Sequence, residues 1–142
     1  MAKKRRRRSS ALCVCGSGES YAKCCGPYHR GEAIPETARE LMRSRYSAYA
    51  RGLVDYIVET TDPEGDAWQE PVVQWREEIA EFGRNMVFLG VEIVGGESDG
   101  DRASVTFLAK LERRGRDVSF QEKSQFVRRD GRWLYNCGEP LR

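Results

Sequence analysis

The chain has 142 residues, 39% of them hydrophobic and 32% charged, with a formal net charge of +2. That length suits one ordinary domain with a short appendage. The longest apolar run, from Val87 to Val94, is broken by Glu92, so it falls far short of the roughly 20 residues that a membrane-spanning helix needs.

At the N-terminus, Lys3, Lys4, Arg5, Arg6, Arg7 and Arg8 come with no acid among them, and without them the remainder is net negative. Residues 1–10 are therefore expected to form a disordered basic arm. Such an arm either stays solvated or attracts RNA, a ribosome or another acidic surface. No apolar stretch follows the charges as it would in a secretory signal, so a cytoplasmic protein with reduced thiols is expected.

Four of the five cysteines fall close together, as Cys13-x-Cys15 and Cys24-Cys25. In a reducing compartment, two close pairs separated by a short loop point to one tetrahedral metal ion with thiolate ligands, zinc foremost. Gly16 and Gly18 allow a tight turn after Cys15 and leave backbone N–H groups free to face sulfur, and Tyr21 supplies apolar cover. A segment of about twenty residues buries too little surface to fold alone. Bound Zn2+ must supply the missing stability, about 10–16 kcal/mol in small zinc peptides. Residues 11–30 are thus expected to be a zinc knuckle held by Cys13, Cys15, Cys24 and Cys25. Redox-active thiols or an iron–sulfur cluster are the competing assignments. His29, the chain's only histidine, is the rival for the position of Cys25. Lys23, Arg30 and the arm would offset the negative charge of four thiolates around a divalent ion. Cys137 stands alone and is expected to be a small core or edge residue.

From Pro35 the pattern becomes regular. Thr37 and Glu40 have the spacing of a capping box, Met42, Tyr46, Tyr49 and Leu53 recur at helical intervals, and Gly52 is the expected terminator of the first helix. A second, short helix is expected from about Leu53 to Glu59, stopped by Thr60-Thr61-Asp62-Pro63. A third follows Pro71, turns Val72, Trp75, Ile79 and Phe82 to one face, and ends at Gly83. The period then drops to two. Val87, Leu89, Val91 and Ile93 alternate in one strand, and Ala103, Val105, Phe107, Ala109 and Leu111 in the next. A third strand runs from Val118 through Phe126. Asp130-Gly131 signals a two-residue hairpin into Arg132-Trp133-Leu134-Tyr135, and Gly95-Gly96, Gly100 and Gly115 mark the other reversals. Helices followed by an antiparallel meander make residues 35–142 an α+β domain, with the sheet wrapped around the long helix.

Two resemblances sharpen this. Cys13-Val14-Cys15-Gly16-Ser17-Gly18, then Tyr21, then Cys24-Cys25-Gly26 resembles the SEC-C motif, named from the C-terminal tail of the preprotein translocase ATPase SecA. The resemblance implies the same four cysteines as zinc ligands, and docking on a protein partner rather than catalysis. One such motif is present, so one metal site is expected. Leu41-Met42-Arg43-Ser44-Arg45-Tyr46-Ser47-Ala48-Tyr49, Asp55-Tyr56 and Gly131-Arg132-Trp133 together resemble the YchJ-like family of bacterial proteins, from about residue 11 to the end. That family's central domain is similar to the nuclear transport factor 2-like cone, in which helices pack inside a curved antiparallel sheet. The implied function is a zinc-binding interaction module docking on a cytosolic partner, such as the ribosome, the translocation machinery or a chaperone. The alternative is a small-molecule binder or enzyme that uses the cone.

Cones of this kind hold ligands between helix and sheet. The face of the third strand that carries Val118, Phe120 and Phe126 also carries Glu122 and Ser124, and a carboxylate there is costly unless paired. Arg45 shares the apolar helix face of Leu41 and Tyr49. Arg45 and Glu122 are expected to meet inside the cone, near Ser124 and Tyr46. They would form either an ion pair that fixes register, costing about 3–5 kcal/mol when one partner is removed, or the polar floor of a ligand pocket. No Cys–His or Ser–His–Asp set is found. Asp55 and Glu122, the carboxylates available as a general base, have no matching partner arrangement, so no catalytic residue is assigned.

Overall fold

The computed structural model describes residues 12–141, and the expected basic arm at residues 1–10 lies outside the described residues. A one-turn helix α1 (Gly26–His29) follows the cysteine loop. Three helices come next: α2 (Ala38–Arg51), α3 (Val54–Glu59) and α4 (Val72–Asn85). Five antiparallel strands complete the chain: β1 (Val87–Asp99), β2 (Arg102–Arg113), β3 (Arg116–Asp117), β4 (Phe120–Arg129) and β5 (Arg132–Leu141). The sheet order is β1-β2-β4-β5, with the short β3 paired to β2. Among the described residues, no helix is long and apolar enough to cross a membrane.

The start of α2 follows from its first turn. Thr37 Oγ1 accepts from the Glu40 N–H at 3.1 Å, and Glu40 Oε1 accepts from the Thr37 N–H at 3.1 Å. This reciprocal cap satisfies two donors that a helix N-terminus otherwise strands. Gly52 closes the helix in the left-handed region, with φ 71°. Between these ends Leu41, Met42, Ser44, Arg45, Tyr46, Ser47 and Ala48 are buried. Leu41, Met42 and Tyr46 pack with Val105, Phe107, Ala109, Leu111 and Phe126 of the sheet. Ala48 joins Ile57, Trp75 and Ile79 in a second cluster between the helices.

Gly83 does not end α4, which continues to Asn85. Its role is steric, because a Cβ at this position would collide with the Tyr49 backbone carbonyl of α2. Gly83→Ala gains about 1 kcal/mol in helix propensity but forces the two helices apart, as overpacking does. The expected net result is a loss of about 2 kcal/mol in urea unfolding, with an unchanged slope. A neutral or stabilised variant would show that the helices separate freely.

The sheet departs from strict alternation in several places. In β2, Ala103, Val105, Phe107, Ala109 and Leu111 are all buried as expected. In β1 the phase breaks, because Phe88 pairs with Leu111 but Gly90 with Lys110, leaving Leu89 bulged. Val87 and Leu89 are consequently exposed by 53% and 54%, and Phe88 points inward in their place. A second bulge at Val94 lets β1 run on through Gly95-Gly96, which mark no reversal. Gly96 is needed there because a Cβ would sit 2.7 Å from the Ser104 carbonyl oxygen. The third expected strand is interrupted at Val118-Ser119, where the Ser119 hydroxyl accepts from the Leu111 N–H at 3.0 Å and so takes the place of a strand carbonyl. The Asp130-Gly131 hairpin is as expected, with both residues at positive φ (51° and 79°), the geometry that matches strand twist.

Candidate functional site

The cysteine loop is built by backbone geometry first. Leu12 and Ser20 form an antiparallel bridge, and Gly16 and Gly18 turn the chain between them at φ 84° and 88°. A 3-10 turn (Tyr21–Lys23) and α1 then bring round Cys24 and Cys25. The sulfurs of Cys13, Cys15, Cys24 and Cys25 all lie within 4.8 Å of one another. Cys15 Sγ is 3.5 Å from Cys24 Sγ, and Cys24 Sγ is 3.9 Å from Cys25 Sγ. All four are free thiols, and three of them are buried, with Cys24 half-buried.

Packed this closely, the thiols perturb one another. Hydrogen bonds from Cys13 and Cys25 drive Cys15 far below the ordinary thiol range. Hydrogen bonds with Cys13 and Cys15 drive Cys25 far above it, and burial pushes Cys24 up to about 11. Four convergent sulfurs of this kind are a donor set for a metal ion.

The surroundings support the sulfurs. The Ser17 hydroxyl lies 3.0 Å from Cys24 Sγ, and Arg43 Nη1 donates to the Cys15 carbonyl oxygen at 2.8 Å. Arg43, on α2, brings a positive charge to the loop beyond the Lys23, Arg30 and arm expected from sequence, whereas Arg30 turns to Glu32 at 2.8 Å. His29 is not beside the sulfurs as a fourth ligand. Its Nε2 donates to the Ser44 carbonyl oxygen at 2.8 Å, so Nδ1 of the neutral ring accepts from the Tyr21 hydroxyl at 2.6 Å. Burial lowers the His29 pKa and favours that neutral ring. Both nitrogens are engaged, and the ring also meets Tyr56 edge-on at 4.8 Å. His29 therefore bolts the cysteine loop to α2. Arg51 covers the other side of Tyr21, 3.4 Å above its ring. Cys13, Cys15 and Cys25 belong to the same buried cluster as Leu41, Met42, Tyr46 and Val91, so the loop and the sheet share a core.

Inside the cone lies a cavity of about 290 Å³ that Arg45, Tyr46, Glu122 and Ser124 all line. Arg45 and Glu122 do not pair directly. Arg45 Nη1 donates to the Ile57 carbonyl at 3.0 Å and to the Thr60 and Thr61 hydroxyls at 2.8 and 3.1 Å. The guanidinium stacks on the Tyr135 ring, 4.5 Å from its centroid. The Tyr135 hydroxyl in turn donates to Glu122 Oε2 at 2.9 Å, as the Ser124 hydroxyl does at 2.5 Å. Tyr135 thus stands between the two charges, and burial raises its pKa, keeping it a phenol that donates. Tyr46 has no share in this network. Its hydroxyl accepts from the Gly90 N–H at 2.8 Å and donates to the Lys110 carbonyl at 3.1 Å, filling the gap left by the Leu89 bulge. Tyr135 was missed as a cavity residue, although it lies two positions from the buried Trp133 in a strand and so shares its face. Cys137, half-buried on the edge strand β5, borders an adjoining space with Arg45 and Tyr135.

Fold and site together define an α+β cone joined to a four-cysteine module able to hold a metal ion. The chain belongs to the YchJ family: residues 37–138 match the family described as YchJ, middle NTF2-like domain, and residues 10–27 match the SEC-C motif. A SEC-C motif containing protein from Rhodopseudomonas palustris is 39% identical, covers 92% of this chain and 98% of its own, and superposes with a TM-score of 0.80. Another from Psychrobacter arcticus is 25% identical over 89% of this chain and 80% of its own, with a TM-score of 0.70. An NTF-2 like protein from Shewanella oneidensis, 17% identical over 72% of this chain and 93% of its own, shares the fold alone at a TM-score of 0.50.

Proposed function

We propose that this protein is a zinc-bearing docking protein of the cytoplasm. Its parts would be an arm at residues 1–10, a knuckle at 11–30 and a cone at 35–142. The observation that carries the metal assignment is the spacing of the sulfurs. Ligands about 2.3 Å from a tetrahedral zinc ion stand about 3.8 Å apart, and the 3.5 and 3.9 Å separations fall on either side of that value. The set is all sulfur and closed, as in structural rather than catalytic zinc sites.

The knuckle faces inward through Cys13, Cys15 and Cys25, and outward through Leu12, Ser17, Gly18, Glu19, Ala22 and Lys23, all exposed. Metal coordination would fix that outer face as one rigid surface for a protein partner, of the ribosome, the translocation machinery or a chaperone. The basic arm would add salt-sensitive attraction to an acidic or RNA-rich neighbour. Because the loop shares its core with the sheet, deleting it would disturb the cone, and surface changes test docking better. Leu12→Glu with Lys23→Glu keeps all four cysteines. In pull-downs from its own host, the wild type is expected to retain partners that the double variant loses about tenfold or more, while native mass spectrometry finds one zinc ion in both. Equal retention by the two proteins would remove the docking role.

A further inference from the structure

The cone cavity has a chemistry of its own, distant in role from the knuckle. At about 290 Å³ it stands at the lower end of the range for ligand sites. Its walls are aromatic and aliphatic, including Trp75, Ile79, Phe82, Phe88 and Phe107, and its solvent-reaching members are Gln69, Glu78 and Phe120. One part of the lining is polar, and there the hydrogen bonds are unevenly shared. Ser124 and Tyr135 both donate to Glu122 Oε2, while Oε1 has no partner among the described residues. Gly138 makes this arrangement possible, since a Cβ there would strike both the Tyr135 hydroxyl and the Glu122 carboxyl group. Arg45 Nη1 is already divided among the oxygens of Ile57, Thr60 and Thr61. The cavity therefore presents one carboxylate oxygen without a protein partner among the described residues, Glu122 Oε1, in a largely apolar chamber that the Arg45 guanidinium also lines.

We propose that this cavity binds a small, largely apolar ring compound carrying a hydroxyl or N–H group, with Glu122 Oε1 accepting its proton donor. An acceptor-only head would displace water from Oε1 without pairing it, which penalises that head. A carboxylate head would oppose Glu122 directly.

Two probes that differ in one hydrogen-bond donor, the hydroxyl proton of one being replaced by a methyl group in the other, test this with the full-length, metal-loaded protein: 2-naphthol and its methyl ether, 2-methoxynaphthalene. Titration followed by amide chemical shifts is expected to show 2-naphthol binding about tenfold or more tighter, with the largest shifts at Glu122, Ser124 and Tyr135. Glu122→Gln inverts the site without changing its size. Ser124 and Tyr135 donate toward one position, so they hold the amide oxygen there and turn the NH2 group into the cavity. The variant is expected to lose the preference for naphthol or reverse it. The wild-type comparison stands even if that variant fails to fold. Equal affinity for the two probes, no binding of either up to its solubility, shifts confined to the outer surface, or an unchanged preference in a folded Glu122→Gln protein would each overturn the assignment. Zinc content and partner retention are independent of all these outcomes.

Discussion

Removing the proposed zinc ion with a chelator is expected to unfold residues 12–30 and to lower the thermal midpoint of the whole chain on the order of 10 °C. The first effect follows from size, since the loop cannot stabilise itself by burial. Metal binding in comparable small modules supplies about 10–16 kcal/mol, as much as an entire domain's net stability of about 5–15 kcal/mol. The second effect follows from packing. Cys13, Cys15 and Cys25 lie in one buried cluster with Leu41, Met42, Tyr46 and Val91, so a loop that opens uncovers the top of the cone's own core. A loss of about 3 kcal/mol from that exposure corresponds to the stated shift for a chain of this length. Calorimetry with and without chelator, and of Cys25→Ser, checks this. The variant should resemble the stripped wild type, because a buried serine adds an unpaired hydroxyl and removes a ligand. A metal-free protein with an unchanged midpoint would mean that the loop is an independent attachment and that the ion does no structural work for the cone.

Local rules predicted what depends on neighbours in sequence. The capping box at Thr37 and Glu40, the buried alternation from Ala103 to Leu111, the Asp130-Gly131 turn and the four clustered cysteines all arise within a few residues. The family resemblance carried the same information to the level of the whole fold. What escaped depends on residues far apart. The Leu89 bulge turns Val87 and Leu89 away from the expected face of β1, yet the group that satisfies it is the Tyr46 hydroxyl on α2. The crowding that requires Gly83 comes from Tyr49 on another helix. Arg45 and Glu122 line one cavity, but period counting cannot show that an aromatic ring from β5 is interposed. His29 looked like a spare ligand because a sequence shows its chemistry and not the carbonyl waiting for its proton at Ser44.

Asp62 was read only as part of a helix stop, and it is expected to be among the most costly polar residues to remove: Asp62→Ala should lose about 3 kcal/mol at neutral pH. Its side chain is fully buried. Oδ1 accepts from Arg129 Nε at 3.2 Å and from the Glu64 N–H at 3.0 Å. Oδ2 accepts from Arg129 Nη2 at 3.1 Å and from Asn136 Nδ2 at 2.9 Å. Asn136 is the bulged residue of β5, so the carboxylate ties the segment after α3 to the sheet where its register shifts. Arg129 is 44% exposed and regains water when the carboxylate is removed, so the estimate stays below that for a fully buried pair. Burial alone would raise the Asp62 pKa, but hydrogen bonds from Arg129, the Glu64 N–H and Asn136 outweigh it and the net shift is downward. An unfolded aspartate titrates near about 3.9. Below that value the unfolded chain binds a proton that the folded one still refuses, so stability rises with pH through this window. The contribution is complete above about pH 5 and is lost as pH falls through the lowered folded-state pKa. Urea unfolding of wild type and Asp62→Ala at pH 7, 5, 4 and 3 should therefore show a gap that is constant at the two higher values and narrows at the two lower. Parallel curves down to pH 3 would mean that shape, and not the charge on Asp62, holds this corner of the cone together.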